Sequence, residues 1–274
     1  LEASIKIAET YAKTQLPAGS WPLMVWISSG EAVQDNLCVP TDIINFLQRL
    51  VSDYGETQFR ESSEKAFNWI MENPMRTFHW EGQFEDVGYS KNYSNMERGK
   101  PFAFAVILLS RSEQEPGYIE MAEELIRFAE DQFVVWEQPL PRELFRTSHR
   151  QIPGKSYQTS TWFTPCVLEQ YGYYTPIDAS SASAIVAYKK AYEITGKELY
   201  LAKAISLADN QTVAQDLAGG IYPTYQMDLP GWNWSTDPAQ GGTDTNPAWT
   251  GWLNCATVTA KALLDLNELV SRTE

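Results

Sequence analysis

Two aspartates stand where nearly uncharged, helix-like runs begin: Asp42 in Pro40-Thr41-Asp42-Ile43-Ile44, and Asp178 in Pro176-Ile177-Asp178-Ala179-Ser180-Ser181. A carboxyl group so placed has two readings. As a cap or first-turn residue it stabilises the helix by about 0.5–2 kcal/mol. If the helix start also faces a cavity, the same group can act as a general acid or base. Asp35, Glu85, Asp86 and Asp244 lie in loop segments of the same class and are weaker candidates. Acid–base work on a glycoside uses two carboxyl groups about 5–10 Å apart, a separation that sequence does not supply.

Aromatic residues crowd the same loops. Trp80, Trp162, Tyr173, Trp232 and Trp234 are the candidate binding residues among them. Indole and phenol rings beside carboxylates and amides suit sugars, because the ring stacks on the apolar sugar face while polar groups take the hydroxyls. The competing reading is packing of the loops onto the helices. One loop carries a basic cluster, Arg142, Arg146, His149, Arg150 and Lys155. Arg150 and His149 are candidates for holding a sugar carboxylate, since Arg can form paired hydrogen bonds to one; solvated surface charge is the alternative.

The elements that must position these residues show as helical periodicity. Amphipathic, charged runs cover about 2–15, 59–73, 117–134 and 198–214, each with one apolar stripe. Between them lie runs almost without charge, 40–51, 101–110, 178–194 and 249–264, which must be buried on most sides. Pro40, Pro101, Pro176 and Pro247 mark their starts. The alternation predicts helical hairpins, outer helix then inner helix, with long loops before each inner member. Few period-two runs lie outside the loops, which disfavours a β-rich fold.

The organisation repeats. Gln15-Leu16-Pro17-Ala18-Gly19-Ser20-Trp21-Pro22 is echoed by Gln215-Asp216-Leu217-Ala218-Gly219-Gly220-Ile221-Tyr222-Pro223. A repeated hairpin unit with its loops on one side predicts about four hairpins arranged as part of a ring. The sequence begins Leu1-Glu2-Ala3, and ring closure would need more hairpins upstream. The expectation is therefore one domain over residues 1–274, lacking N-terminal hairpins of a longer protein.

Composition excludes several function classes. A formal charge of −14 leaves no dominant basic face for nucleic acid. No apolar run reaches the roughly 20 residues that span a bilayer. Three cysteines without a CxxC and two histidines, His79 and His149, make a metal site improbable, so no metal and no cofactor are expected.

Thr175-Pro176-Ile177-Asp178-Ala179-Ser180-Ser181-Ala182-Ser183-Ala184-Ile185 resembles the Asp-Ser-Ser-Ala-x-Ala-Ile helix start of unsaturated glucuronyl hydrolases. Gly19-Ser20-Trp21-Pro22 with Asp35 to Asp42 is similar to a segment of toroidal pectate lyases. The turn Glu193-Ile194-Thr195-Gly196-Lys197-Glu198 is similar to a hairpin turn of the same six-hairpin superfamily and of sugar 2-epimerases. These resemblances imply an all-α, (α/α)-toroid fold and a glycoside hydrolase or polysaccharide lyase acting on oligo- or polysaccharide, in an extracytoplasmic setting. A non-catalytic glycan-binding module and a sugar epimerase working through His79 and His149 are the alternatives.

Overall fold

The computed structural model describes residues 1–33, 35–82, 95–96, 99–137, 161–170, 173–217, 224, 226–228 and 253–273. The chain divides into two compact units, residues 1–100 and 101–274.

In the first unit α1 (Glu2–Thr14), α2 (Thr41–Tyr54) and α3 (Arg60–Glu72) follow one another, with a short 3-10 turn, Thr57–Phe59, before α3. The short α4 (Pro74–Thr77) comes next, then a two-residue antiparallel pair, β1 (Glu81–Gly82) with β2 (Asn95–Met96). Ala8, Leu47, Leu50 and Phe59 form its apolar centre, flanked by Ile5, Ile43, Phe46 and Val51. The repeated Gln-x-x-x-Gly motif has a physical cause here. Gln15 Nε2 donates to the carbonyls of Gly19 (2.8 Å) and Ser62 (2.9 Å), and Ser62 Oγ donates back to Gln15 Oε1 at 2.9 Å. Gly19 has φ +105°, and a Cβ there would lie 2.4 Å from the Lys65 carbonyl oxygen, so only glycine fits. Trp21, next but one, is buried, and its indole N–H donates to Tyr11 O at 2.9 Å. In the second copy Gln215 is described and Gly219 is not.

The unit boundary falls within α5 (Gly99–Ser110). The second unit continues with α6 (Gly117–Phe133), β3 (Val134–Val135), β4 (Thr161–Trp162), β5 (Cys166–Gln170), β6 (Tyr173–Pro176), α7 (Asp178–Thr195), α8 (Glu198–Leu217), β7 (Met227–Asp228) and α9 (Leu253–Thr273). The strands pair as β3-β5-β6 and β4-β7, all antiparallel. The helices lie close to the spans expected from periodicity, except α9, which runs nine residues beyond the 249–264 expected.

Burial separates α5 and α7 from the charged α6 as their charge content implied. Phe102, Phe104, Ala105, Ile107, Leu108 and Leu109 bury most of α5, and Ala179 through Ala182, Ala184, Ile185, Ala187, Tyr188 and Ala191 bury α7 on nearly every side. The charged α6 buries one stripe, Ala122, Leu125, Ile126, Ala129 and Phe133. Gly196 closes α7 in the left-handed conformation (φ +67°), and its N–H bonds Tyr192 O at 2.8 Å. Two helices expected to be buried on most sides differ: α2 buries one stripe, Thr41, Ile44, Leu47 and Leu50, and α9 carries Lys261, Asp265, Glu268 and Arg272. Among the α9 residues whose burial is described, Cys255, Thr259, Ala262 and Leu266 are buried, while Leu253, Val258 and Leu264 are exposed. Among the described residues α9 packs on α7 and α8, so one face is covered.

Candidate functional site

Pro176 and the extended Ile177 (φ −129°, ψ 154°) bring the chain into α7, whose first residue is Asp178. A helix start leaves four N–H groups without intrahelical partners and carries positive partial charge, so a carboxylate is stabilised there. Asp178 Oδ1 accepts from Ala179 N at 2.7 Å. The residue is 0% exposed.

Four further segments fix this helix start. Asp178 N donates to Thr224 O (3.0 Å), Ile177 N to Val167 O (3.2 Å), Gln226 N to Pro176 O (2.9 Å) and Phe163 N to Gln226 O (2.9 Å). From α8, Asn210 Nδ2 donates to the carbonyls of Phe163 and Pro165, both at 2.8 Å. The result is a backbone-bonded layer of β4, β5, β6 and residues 224 and 226–228 over the start of α7. Polar side chains are buried throughout this unit: Glu169, Ser180, Ser181, Asn210, Gln211, Thr224 and Gln226 join Asp178. Burying a polar group costs free energy unless it is hydrogen-bonded. Ser181 Oγ is buried with no hydrogen-bond partner among the described residues. A carboxyl group can exchange a proton, and buried amides and hydroxyls can hold sugar-like hydroxyls.

Of the candidates, Asp178 sits at the centre of this layer, and the backbones of Trp162 and Tyr173 belong to it. Trp162 pairs with Met227 and Tyr173 with Gln170. In the first unit Asp42 occupies the first turn of α2 with a side chain 76% exposed, paired to Lys100 Nζ at 2.6 Å. Asp35 and His79 are exposed. Trp80 is 1% exposed, so protein covers its ring faces and no open platform forms there. Asp86, Glu85, Arg142, Arg146, His149, Arg150, Lys155, Trp232, Trp234 and Asp244 lie outside the described residues.

Sequence reasoning passed over Glu169, Asn210, Gln211 and Gln226. Glu169 interrupts the apolar run Cys166-Val167-Leu168, and Asn210 and Gln211 fall on the same α8 stripe as Ala204, Leu207 and Ala214. Polar residues on an apolar face were the available signal.

A second polar cluster was also missed. Glu130 on α6 accepts from Lys203 Nζ (2.6 and 2.7 Å), Tyr188 Oη (3.0 Å) and Trp136 Nε1 (3.1 Å). Lys203 also lies over the rings of Trp136 and Tyr188, 5.7 and 5.6 Å from their centroids. Tyr188 stacks on Tyr200, whose hydroxyl donates to Glu123 at 3.0 Å. Burial, reinforced by these carboxylates, pushes both phenols well above their ordinary range. The charges are mutually satisfied, so the cluster ties α6, α7 and α8 together. Among the described residues no group of His, Cys, Asp and Glu could hold a metal ion, and no helix is long and apolar enough to cross a membrane.

No protein-family model and no curated protein matches the sequence. The structure is similar to that of a D-mannose isomerase, with 14% identity and a TM-score of 0.63, over 98% of this chain and 65% of the isomerase. It is also similar to a glycoside hydrolase family 76 mannosidase from Bacteroides thetaiotaomicron, with 11% identity and a TM-score of 0.50, over 84% of this chain and 54% of the mannosidase. The chain thus spans just under two thirds of the first structure and about half of the second. At such identities the likeness concerns the fold, and neither structure is a glucuronyl hydrolase or a pectate lyase. The chain has the all-α fold of the (α/α)-toroid enzymes, built from helical hairpins.

Proposed function

We propose that this chain is the acid–base part of a carbohydrate-processing enzyme, a glycoside hydrolase or polysaccharide lyase acting on oligo- or polysaccharide. The observation that carries the reading is Asp178, fully buried at the start of α7 under a hydrogen-bonded layer that also holds Trp162 and Tyr173. In hydrolysis a carboxylic acid protonates the leaving oxygen as the glycosidic bond breaks, and a second carboxylate activates water or attacks the sugar carbon. Asp178 and the buried Glu169 of β5 are the carboxyl groups offered for those two roles. Ser181, Gln211, Gln226 and Thr224 supply donors and acceptors for hydroxyls. Mannose-type sugars are the first substrates to try, because a D-mannose isomerase and a mannosidase share the fold. Polymeric substrates fit an extracytoplasmic location.

Aldose–ketose isomerisation is the second reading, favoured by the isomerase whose fold matches nearly all of this chain. Incubation with mannose, manno-oligosaccharides and uronate-containing polysaccharides separates the outcomes. New reducing ends mark hydrolysis, absorbance of an unsaturated product marks elimination, and fructose from mannose marks isomerisation. Turnover that survives Asp178→Asn undiminished would remove Asp178 from the chemistry.

A further inference from the structure

Residues 21–33 and 35–38 belong to a finger of irregular hairpin in the first unit. Pro22 bridges Leu37 and Val25 bridges Ala32. The backbone bonds Cys38 N to Trp21 O (2.9 Å), Leu23 N to Asn36 O (2.9 Å), Val33 N to Met24 O (3.0 Å) and Trp26 N to Glu31 O (2.8 Å). Its base is anchored by the buried Trp21 and by Ser20 Oγ, which donates to Cys38 O at 2.7 Å. At the tip the order inverts: Trp26 is 55% exposed, Val25 47%, and Ile27 is fully in solvent. The indole N–H of Trp26 has no hydrogen-bond partner among the described residues.

An aromatic ring held out on a hydrogen-bonded support is a contact surface, and its surroundings select the occupant. Directly across the tip from Trp26 stands the exposed Glu31, whose N–H bonds Ser29 Oγ at 3.2 Å and whose carboxylate lies 3.5 Å from the same hydroxyl. No Lys or Arg lies between Lys13 and Arg49 in the sequence, so the tip has no basic anchor of its own for lipid headgroups. A two-fold pairing of tips between two copies would oppose Glu31 to Glu31. A neutral sugar ring suits the arrangement: its apolar face stacks on the indole, while its hydroxyls meet the indole N–H, Ser29 and Glu31. We propose that the Trp26 finger is a binding platform for a neutral glycan chain. It rests on the sugar reading above only for the class of ligand.

Affinity electrophoresis of the intact chain through gels containing mannan, β-glucan or polygalacturonate tests this. Wild type is expected to be retarded by a neutral glycan, Trp26→Ala to lose about tenfold in affinity, and Trp26→Tyr to recover part of it. No retardation of wild type, or equal retardation of Trp26→Ala, overturns the proposal. So does a Trp26-dependent binding to phosphatidylcholine vesicles, or a Trp26-dependent dimer, without a glycan effect. Sugar turnover with unchanged Trp26→Ala retardation sinks the platform and leaves the enzymatic reading standing. Loss of retardation in a chain that turns over no sugar does the reverse.

Discussion

Asp42 and Asp178 begin as twins, each two residues after a proline and each in the first turn of a helix expected to be inner. The fold treats them oppositely. Asp42 stands mostly in solvent beside Lys100, whereas Asp178 is buried beneath strands and residues 224 and 226–228. The helix-start pattern fixes where a carboxyl group meets a helix dipole, and burial decides whether that group can do chemistry in a low-dielectric site. The same contrast separates two ion pairs. Both lysines are 21% exposed, but Asp42 stands in solvent at 76%, while Glu130 is 15% exposed and bonded to Tyr188 and Trp136.

The strongest attempt to break this comparison is replacement of both acids. Asp178→Asn is expected to lower kcat by about 10²–10⁴-fold with the circular dichroism spectrum kept, while Asp42→Asn stays within about twofold. Equal losses would mean that burial does not mark the working carboxyl. Next in size, Lys203→Met leaves Glu130 uncompensated and should cost about 3 kcal/mol in denaturant unfolding. Adding Glu130→Gln should return much of it; no recovery would show that the lysine acts by packing.

Gly19→Ala should cost about 1–3 kcal/mol, because the new Cβ meets the Lys65 carbonyl and the backbone is left-handed. Gly196→Ala has open space around its Cβ, so only the backbone penalty of about 1 kcal/mol is expected in thermal unfolding. Comparable values at both sites would remove the close approach as the reason for the Gln-x-x-x-Gly motif.

Alkaline pH offers a milder test. Tyr188 and Tyr200 have folded-state pKa values raised by burial, so they bind protons that the unfolded chain releases above about 10. Their contribution is complete below that pH and is lost as pH rises further. Melting temperature should therefore fall in alkali, and less steeply in Tyr188→Phe. Last, Asp42→Ala removes an exposed carboxylate and should change stability by less than about 1 kcal/mol in a chemical melt.

Much of the fold was legible because it rests on local rules. Charge-poor runs became α5 and α7, charged amphipathic runs became α1, α3, α6 and α8, and the Gly196 turn joined a hairpin as its sequence implied. The site was legible only in part. Asp178 was visible from helix-start chemistry, but Glu169 and Gln211 became candidates only through burial, a property of partners distant in sequence. Trp80 shows the opposite case, an aromatic suited to stacking that the fold enclosed.

Periodicity and glycine or proline punctuation act over a few residues, so the sequence alone determined the helices, their hairpin order and the all-α class. Which carboxyl group is withdrawn from water, which aromatic ring stays outside and which charges share a pocket depend on contacts between segments tens of residues apart. Only the tertiary structure decided those, because solvent exclusion belongs to the assembled packing and to no single stretch of chain.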